Sequence, residues 1–281
     1  MTSDRIRELA TRYGPPVKVS LSLVGAVALA WILANPDGRG TDAYSYWYWN
    51  PADPYREAFG NVDASHAFRY APPIGLLLLP GHALTFPAFL WVWTALTLGT
   101  LAWLCRSWTL AVAALYPVLL EISVGNVHLL MAAAIVLGFR FPEAWSFVLL
   151  TKITPGVGLA WFAIRREWAN LARALGFTAA VAVVSFLIEP SWWSGWLAML
   201  RSDVGLSGGT SVSIPLVVRL PVAFVLVAWG GRTDRRWTVP VAAFLALPTI
   251  WPQGFAVLAG IVPLVRSARP GFHGRSPVPE R

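Results

Sequence analysis

The stretch from Asn35 to Pro73 carries the side chains best suited to chemistry in this 281-residue chain. Asp42 stands near its start, and five aromatic residues follow it closely: Tyr44, Tyr46, Trp47, Tyr48 and Trp49. A carboxylate held beside aromatic rings can accept a proton from an attacking hydroxyl as a general base. The rings can stack on the apolar face of a sugar. The alternative is that the acid is merely solvated and the aromatics form an interfacial belt.

Three further ionisable side chains lie within apolar segments, where each costs roughly 2.5–3.5 kcal/mol to insert. Lys152 lies in the sequence LLTKITPGVGL, and a continuous helix would place it about 12 Å below the membrane surface. We expect it to face a polar cavity, either as a phosphate-binding point charge or paired with an acid on a neighbouring helix. Glu121 and His128 flank Gly125-Asn126, where helix capping explains the residues as well as function does.

Several well-known signatures are missing from the sequence. It contains no HExxH, GxSxG, Walker or dinucleotide motif, and a metal site has little support. Its single cysteine, Cys105, excludes a disulfide within the chain. No cofactor is predicted.

Composition indicates a membrane protein. The chain is 56% hydrophobic and only 13% charged, with 16 tryptophans and a mean hydropathy of +0.57, whereas soluble domains have about 25% charged residues. The net charge of +8 comes almost entirely from arginine. In a membrane protein such arginines hold short loops against an anionic leaflet, so nucleic acid is not an expected partner.

Apolar runs predict an all-α integral membrane protein with about ten transmembrane helices, the first of them uncleaved. The alternative is eight spans with one short pair re-entrant. The ten segments are Val17–Ala34, Ala71–Leu84, Pro87–Leu104, Trp108–Val124, Val127–Phe139, Ala144–Ile164, Ala172–Ile188, Val212–Trp229, Thr238–Trp251 and Gly254–Val265. Residues 1–266 would form one transmembrane domain, and 267–281 a basic disordered tail.

The arginine distribution predicts that both termini are cytoplasmic. Residues 35–70 then form a large first extracytoplasmic loop and 189–211 a second, whose Trp192, Trp193 and Trp196 indicate an interfacial helix or an aromatic anchor. Glu121 falls near the inner end of the fourth segment. The arginines predicted outside are Arg39, Arg56, Arg69, Arg106, Arg140 and Arg201.

Several short motifs, in their order, resemble those of the C-type membrane glycosyltransferases, and most closely glycosyltransferase family 87. These motifs are an early Gly-x-Asp at Asp42, Asp53-Pro54-Tyr55, Tyr70-Ala71-Pro72-Pro73, Gly125-Asn126-Val127-His128 and Lys152-Ile153-Thr154-Pro155. The resemblance covers roughly Val17 to Arg166.

This resemblance implies an inverting glycosyltransferase of the bacterial plasma membrane. It would move mannose, or another hexose or pentose, from a polyprenyl-phosphate donor to a lipid or glycan acceptor on the extracytoplasmic face. Asp42 would be the catalytic base. The predicted substrate-binding residues are Tyr44, Tyr46, Trp47, Arg69, Tyr70, His128 and Lys152, with Lys152 and Arg69 the candidates for the lipid phosphate.

Two other functions fit the sequence. The protein could be a transporter or flippase component, which predicts polar residues along several helices and inverted repeats. Alternatively, it could be a non-catalytic scaffold in envelope glycan assembly.

Overall fold

The structure is a computed structural model that describes residues 3–59, 64, 67–203 and 214–267, with side chains from residue 11 to residue 266. Within these residues the chain is helical and contains no strand. The α-helices are α1 Ser3–Ala34, α2 Thr41–Trp47, α3 Pro72–Leu78, α4 Phe86–Cys105, α5 Thr109–Ala113, α6 Tyr116–Val124, α7 His128–Gly138, α8 Trp145–Thr151, α9 Ala160–Ile164, α10 Trp168–Ile188, α11 Pro190–Ser202, α12 Leu216–Thr233, α13 Thr238–Leu245 and α14 Ile261–Ser267. Short 3₁₀ helices join them at Arg56–Ala58, Leu79–Ala83, Arg106–Trp108, Pro142–Ala144, Thr154–Leu159 and Pro252–Gly260. Asp63, residues 204–211 of the second predicted loop and the predicted tail beyond Ser267 lie outside this description.

Four helical stretches are long and apolar enough to cross a membrane: Thr11–Ala34, Phe86–Ala113, Trp168–Ile188 and Leu216–Thr233. A fifth crossing results if α6 and α7, which meet at a bend of 105°, are counted as one broken span. The protein is therefore all-helical with membrane-spanning character, as the sequence predicts. The count of ten spans is not confirmed, since the described residues hold four or five.

One end of the helical bundle, called the Asp42 end, gathers the polar loops around α2. The backbone N–H of Gly40 donates to the carbonyl of Ser123 at 2.8 Å, which joins the residues after α1 to the end of α6. Trp93 Nε1, near the start of α4, donates to the carbonyl of Gly125 at 2.7 Å. The start of α4 and the end of α6 thus lie together, so the chain turns back between them.

The opposite end, called the Lys18 end, holds the first and last described helices together. The ammonium of Lys18 in α1 lies 5.2 Å from the ring centre of Trp108. Arg266 in α14 donates to the carbonyl of Cys105 at 3.2 Å. Next to Cys105, Arg106 has a φ of 51° and begins the short 3₁₀ helix between α4 and α5. The basic beginning and the described end of the chain are therefore on one side of the bundle.

The second predicted segment, Ala71–Leu84, does not form a spanning helix. It consists of α3 and a 3₁₀ helix, seven and five residues long. Its far end returns to the Asp42 end, where the carbonyl of Leu84 accepts a hydrogen bond from Trp47 Nε1 at 2.9 Å. The early Pro72-Pro73 and the later Pro80 keep the helical part short. The alternative of eight spans with one short pair re-entrant is not confirmed either, since the described residues hold four or five spanning stretches.

This re-entrant segment reverses the direction of the helices that follow it. Glu121 therefore lies at the same end of the bundle as Asp42, because the turn after α6 reaches the Asp42 end. The prediction that placed these two residues on opposite faces of the membrane is wrong. Arg106 and Arg140, which we predicted outside, also belong to the Lys18 end. Arg140 follows α7 beside Phe139, whose ring lies 5.3 Å from the guanidinium of Arg236. With Arg106 and Arg140 included, the Lys18 end carries more positive charge than the sequence predicted.

Helix α11 packs on the first loop. Trp192 Nε1 donates to the carbonyl of Pro51 at 2.8 Å, and Trp196 Nε1 donates to the carbonyl of Arg69 at 3.3 Å. Trp192 also meets Trp49 edge-on, with ring centres 5.3 Å apart. The helix that the tryptophans predict is present, but two of its three indoles are buried against protein instead of lipid.

Candidate active site

The Asp42 carboxylate is positioned by the short helix α2 and by the turn that follows α6. Gly40 precedes α2 with a φ of 75°, and Asp42 lies in the first turn of the helix. Asn126 Nδ2 donates to Asp42 Oδ2 at 2.5 Å. Asn126 Oδ1 accepts from the backbone N–H of Val127 at 2.7 Å, which turns the amide N–H₂ group towards the carboxylate.

Gly125 allows this turn to approach α2. Its φ is 73°, a conformation that L side chains rarely adopt. A Cβ at this position would lie 2.7 Å from the Cβ of Ala43 and 3.2 Å from Trp93. Glycine therefore satisfies both the backbone conformation and the close contact that bring Asn126 to Asp42.

A buried chain of three side chains leads from the same turn to Lys152. Lys152 Nζ lies 2.9 Å from His128 Nε2, and His128 Nδ1 lies 2.9 Å from Glu121 Oε2. Glu121 Oε1 accepts from the backbone N–H of Leu129 at 3.1 Å. An ammonium group can only donate, so His128 Nε2 accepts and its Nδ1–H donates to Glu121. Glu121 and His128 are almost fully buried, whereas Lys152 is partly exposed.

Lys152 lies just after the end of a helix, not within a continuous one. Helix α8 ends at Thr151, and Lys152 is extended, with φ −146° and ψ 115°. Pro155 cannot donate a backbone hydrogen bond to the carbonyl four residues earlier, which ends the helix here. The freed carbonyl of Leu150 accepts from the backbone N–H of Ala71 at 2.9 Å. The predicted depth of about 12 Å was counted from Ala144 as the outer end. The chain is helical over Trp145–Thr151, but α8 starts near Arg140 at the Lys18 end, so Lys152 lies at the Asp42 end.

Asp42 and Lys152 thus meet at one polar cluster. Asn126, the partner of Asp42, lies two residues before His128, the partner of Lys152. Burial raises the pKa of the Asp42 carboxyl above its ordinary value, and the hydrogen bond from Asn126 lowers it in part. A carboxylate with a raised pKa can remove a proton, and an ammonium held at the same turn can stabilise a second negative charge.

The predicted aromatic residues separate into two groups. Tyr46 and Tyr70 are buried, and their hydroxyls form a hydrogen bond of 2.9 Å, so their rings are part of the packing beneath Asp42. Tyr44 and Trp47 are partly exposed. Their ring centres lie 5.6 Å apart. Of these four residues, only Tyr44 and Trp47 offer ring surface to a ligand.

Arg69 is the other residue predicted to bind the lipid phosphate. It forms an ion pair with Asp203 at the end of α11. It is therefore already engaged by a carboxylate, and its binding to a phosphate stays a prediction.

Some important residues were missed or undervalued at the sequence level. The sequence pointed to Asn126 only as part of a motif, and it left helix capping and function as equal explanations of Glu121. An acidic side chain within an apolar segment is nevertheless a sufficient signal for a functional site. Arg219 was not singled out, although it interrupts an apolar segment. Its guanidinium donates to the carbonyls of Leu245, Leu247 and Pro248 at 2.6, 2.8 and 3.0 Å.

Metal ligands do not cluster in the described part of the chain. No group of three or more His, Cys, Asp or Glu side chains there could hold a metal ion.

Fold and site together define a helical membrane protein with a polar, carboxylate-containing site at one end of its bundle. The sequence model of glycosyltransferase family 87 matches residues 68–272, and the chain belongs to this family. No curated protein and no solved structure matches the chain. The matched region includes Asn126, His128 and Lys152 and extends well past the Arg166 limit of the resemblance seen in the sequence. It begins after Asp42, so the predicted catalytic base lies outside the matched region.

Proposed function

We propose that this protein transfers a sugar from a polyprenyl phosphate to a lipid or glycan acceptor, with inversion at the anomeric carbon. The sugar would be mannose or another hexose or pentose. The observation that carries the proposal is the convergence of Asp42 and Lys152 on one polar cluster through Asn126 and His128. Family membership supports glycosyl transfer as the reaction.

Asp42 acts as the general base. It takes the proton of the acceptor hydroxyl as that oxygen attacks the anomeric carbon. The bond between the anomeric carbon and the phosphate oxygen breaks, and its electron pair stays on the phosphate. The products are the glycosylated acceptor, polyprenyl phosphate and a protonated Asp42, which then returns its proton to water.

Lys152 stabilises the negative charge that develops on the departing phosphate. A fixed cation at the point where charge develops is among the strongest contributions to catalysis. His128 and Glu121 act as positioning residues, because Glu121 fixes the His128 tautomer that accepts from Lys152 Nζ. The ammonium is thereby held at the cluster instead of extending towards water.

The distribution of basic residues supports an orientation with the Lys18 end in the cytoplasm and the Asp42 end outside. Both termini would then be cytoplasmic in a bacterial plasma membrane. Single cysteines in a Cys105→Ala background test this. A membrane-impermeant maleimide should label Asp37→Cys in intact cells, and Thr233→Cys only after lysis, since both positions are exposed at opposite ends. The reverse pattern would place the site in the cytoplasm.

The donor class is tested with the purified protein in lipid nanodiscs. We expect transfer of radiolabel from polyprenyl-phosphate mannose, or from the equivalent donors of other hexoses and pentoses, to a membrane glycolipid extract. Nucleotide sugars should give no product. Transfer from nucleotide sugars, with none from the polyprenyl donors, would refute the proposed donor class.

A further inference from the structure

An open groove lies at the C-terminal end of α2, beside the candidate active site and separate from it. It has a volume of about 290 Å³ and is lined by Trp47, Tyr48, Trp49, Asn50, Pro51 and His82. Small-molecule sites have volumes of about 300–1,000 Å³, so the groove could hold a ligand as small as one sugar unit. Neither the family match nor the Asp42 cluster accounts for it.

Aromatic surface forms one part of the groove. Tyr48 is about half exposed, at 54%. Its ring is stacked on Tyr44, with ring centres 5.4 Å apart and planes at 16°. The indole N–H of Trp47 donates to the carbonyl of Leu84, which fixes that ring in place. These contacts hold the rings rigid, so a ligand that stacks on them need not order them first.

Polar groups form the other part. Asn50 uses its side-chain oxygen to accept from the backbone N–H of Ala52 at 3.0 Å. Within the described residues, no hydrogen bond engages the amide N–H₂ of Asn50, the ring nitrogens of His82 or the hydroxyl of Tyr48. Donors and acceptors next to an aromatic face match a sugar ring, which presents hydroxyls at its edge and C–H groups on one face.

The charge of the lining residues and the position of the groove limit which ligands it could bind. No arginine, lysine, aspartate or glutamate lines the groove, so an anionic phosphate has no counter-charge there. An acyl chain would leave the polar groups of Asn50 and His82 unpaired. Asp42 lies five residues before Trp47 on the same helix, about 7.5 Å along its axis. A ligand in the groove therefore lies within one or two sugar units of the proposed base.

We propose that this groove binds a neutral sugar unit of the acceptor, with Tyr48 as the stacking surface and Asn50 and His82 as hydrogen-bonding partners. The inference rests on the proposed function, because it is the acceptor of that reaction which the groove would hold. It moves the predicted sugar-stacking surface from the buried Tyr46 to the exposed Tyr48.

Saccharide binding is tested without catalysis, in Asp42→Asn protein, by saturation-transfer NMR with methyl glycosides of mannose, glucose, galactose and arabinose. We expect a signal for at least one glycoside. Tyr48→Ala and His82→Ala should abolish it, while Tyr48→Phe should retain part of it. Trp31→Ala is the matched control, since Trp31 is 67% exposed near the same end of the bundle but does not line the groove.

In the active protein, Tyr48→Ala and His82→Ala should raise the acceptor KM at least tenfold and leave the donor KM unchanged. Unaltered saccharide binding and unaltered acceptor KM in both variants would overturn the proposal. A second result would also overturn the proposal: Tyr48→Ala floats with anionic vesicles as weakly as Trp31→Ala but still binds the saccharide. That result would identify Tyr48 as a membrane anchor. A groove that binds sugar in a protein without transferase activity would refute the proposed reaction alone.

Discussion

Replacement of Lys152 by methionine removes the charge that we assign to the leaving phosphate while keeping a long side chain. A cation about 4 Å from a developing negative charge contributes about 4 kcal/mol at an effective dielectric constant near 20. This corresponds to roughly a thousandfold in rate. Because Lys152 is partly exposed, water will screen part of this contribution. We therefore expect the rate of sugar transfer to fall by roughly 10²- to 10³-fold.

The same substitution has a predictable effect on folding. It leaves Glu121, which is fully buried, without the ammonium that neutralises it through His128. Removing one partner of a buried ion pair costs about 3–5 kcal/mol, and we expect less here because Lys152 is partly exposed and reaches Glu121 only through His128. The double variant Lys152→Met/Glu121→Gln removes both charges and should recover most of that stability. It should not recover activity, because the phosphate still has no cation.

Thermal unfolding in detergent and donor-dependent sugar transfer are the two measurements, made on the single and double variants together. Lys18→Met is the matched control, since it makes the same change at the chain's other lysine, at the opposite end of the bundle. It should leave both measurements near wild type. A stable double variant that transfers sugar at the wild-type rate would refute the role of Lys152.

Three more substitutions test the geometry around the site. Asn126→Ala removes the hydrogen bond that lowers the pKa of Asp42, so that pKa should rise. Because the base must be deprotonated, the acidic limb of the pH profile of kcat/KM should move to higher pH. An acidic limb at the wild-type pH would contradict this. Gly125→Ala should lower the free energy of unfolding by about 1–3 kcal/mol and abolish most activity. Gly176→Ala is the control and should be neutral or slightly stabilising, because a Cβ there meets nothing within 4 Å. Equal unfolding temperatures for the two variants would contradict the close contact at Gly125. Arg219→Met should lower the free energy of unfolding by about 3 kcal/mol or more, because its guanidinium donates to four carbonyls, those of Ile214, Leu245, Leu247 and Pro248. A thermal unfolding midpoint equal to wild type would show that water replaces it.

The sequence alone predicts the class of protein, and it singles out Asp42 and Lys152 as candidate site residues. Low charge content and apolar runs follow directly from the cost of placing polar groups in lipid, so they indicate a membrane protein whatever the fold. The same cost makes Lys152 conspicuous. Asp42 was selected from several acids of equal standing by its aromatic neighbours and by the family resemblance.

The path of the chain could not be predicted in the same way. Hydropathy measures the length of an apolar run, but not whether its backbone is one continuous helix. Ala71–Leu84 and the region around Lys152 are apolar, yet prolines divide them into short helices. The Gly125 turn brings Asn126 to Asp42 from 84 residues away, a contact that no local pattern reveals. Because Ala71–Leu84 was counted as a membrane crossing, Glu121 was assigned to the opposite face from Asp42.

The assignment of Asp42 as the base is tested most directly by single-turnover sugar transfer in nanodiscs, with Asp42→Asn compared with wild type at saturating donor. Asparagine keeps the shape of the side chain but cannot accept the acceptor's proton. General-base catalysis contributes roughly 10²- to 10⁴-fold, so we predict a fall of that size in the rate of transfer, with donor binding unchanged. Transfer by Asp42→Asn at the wild-type rate would show that another group removes the proton.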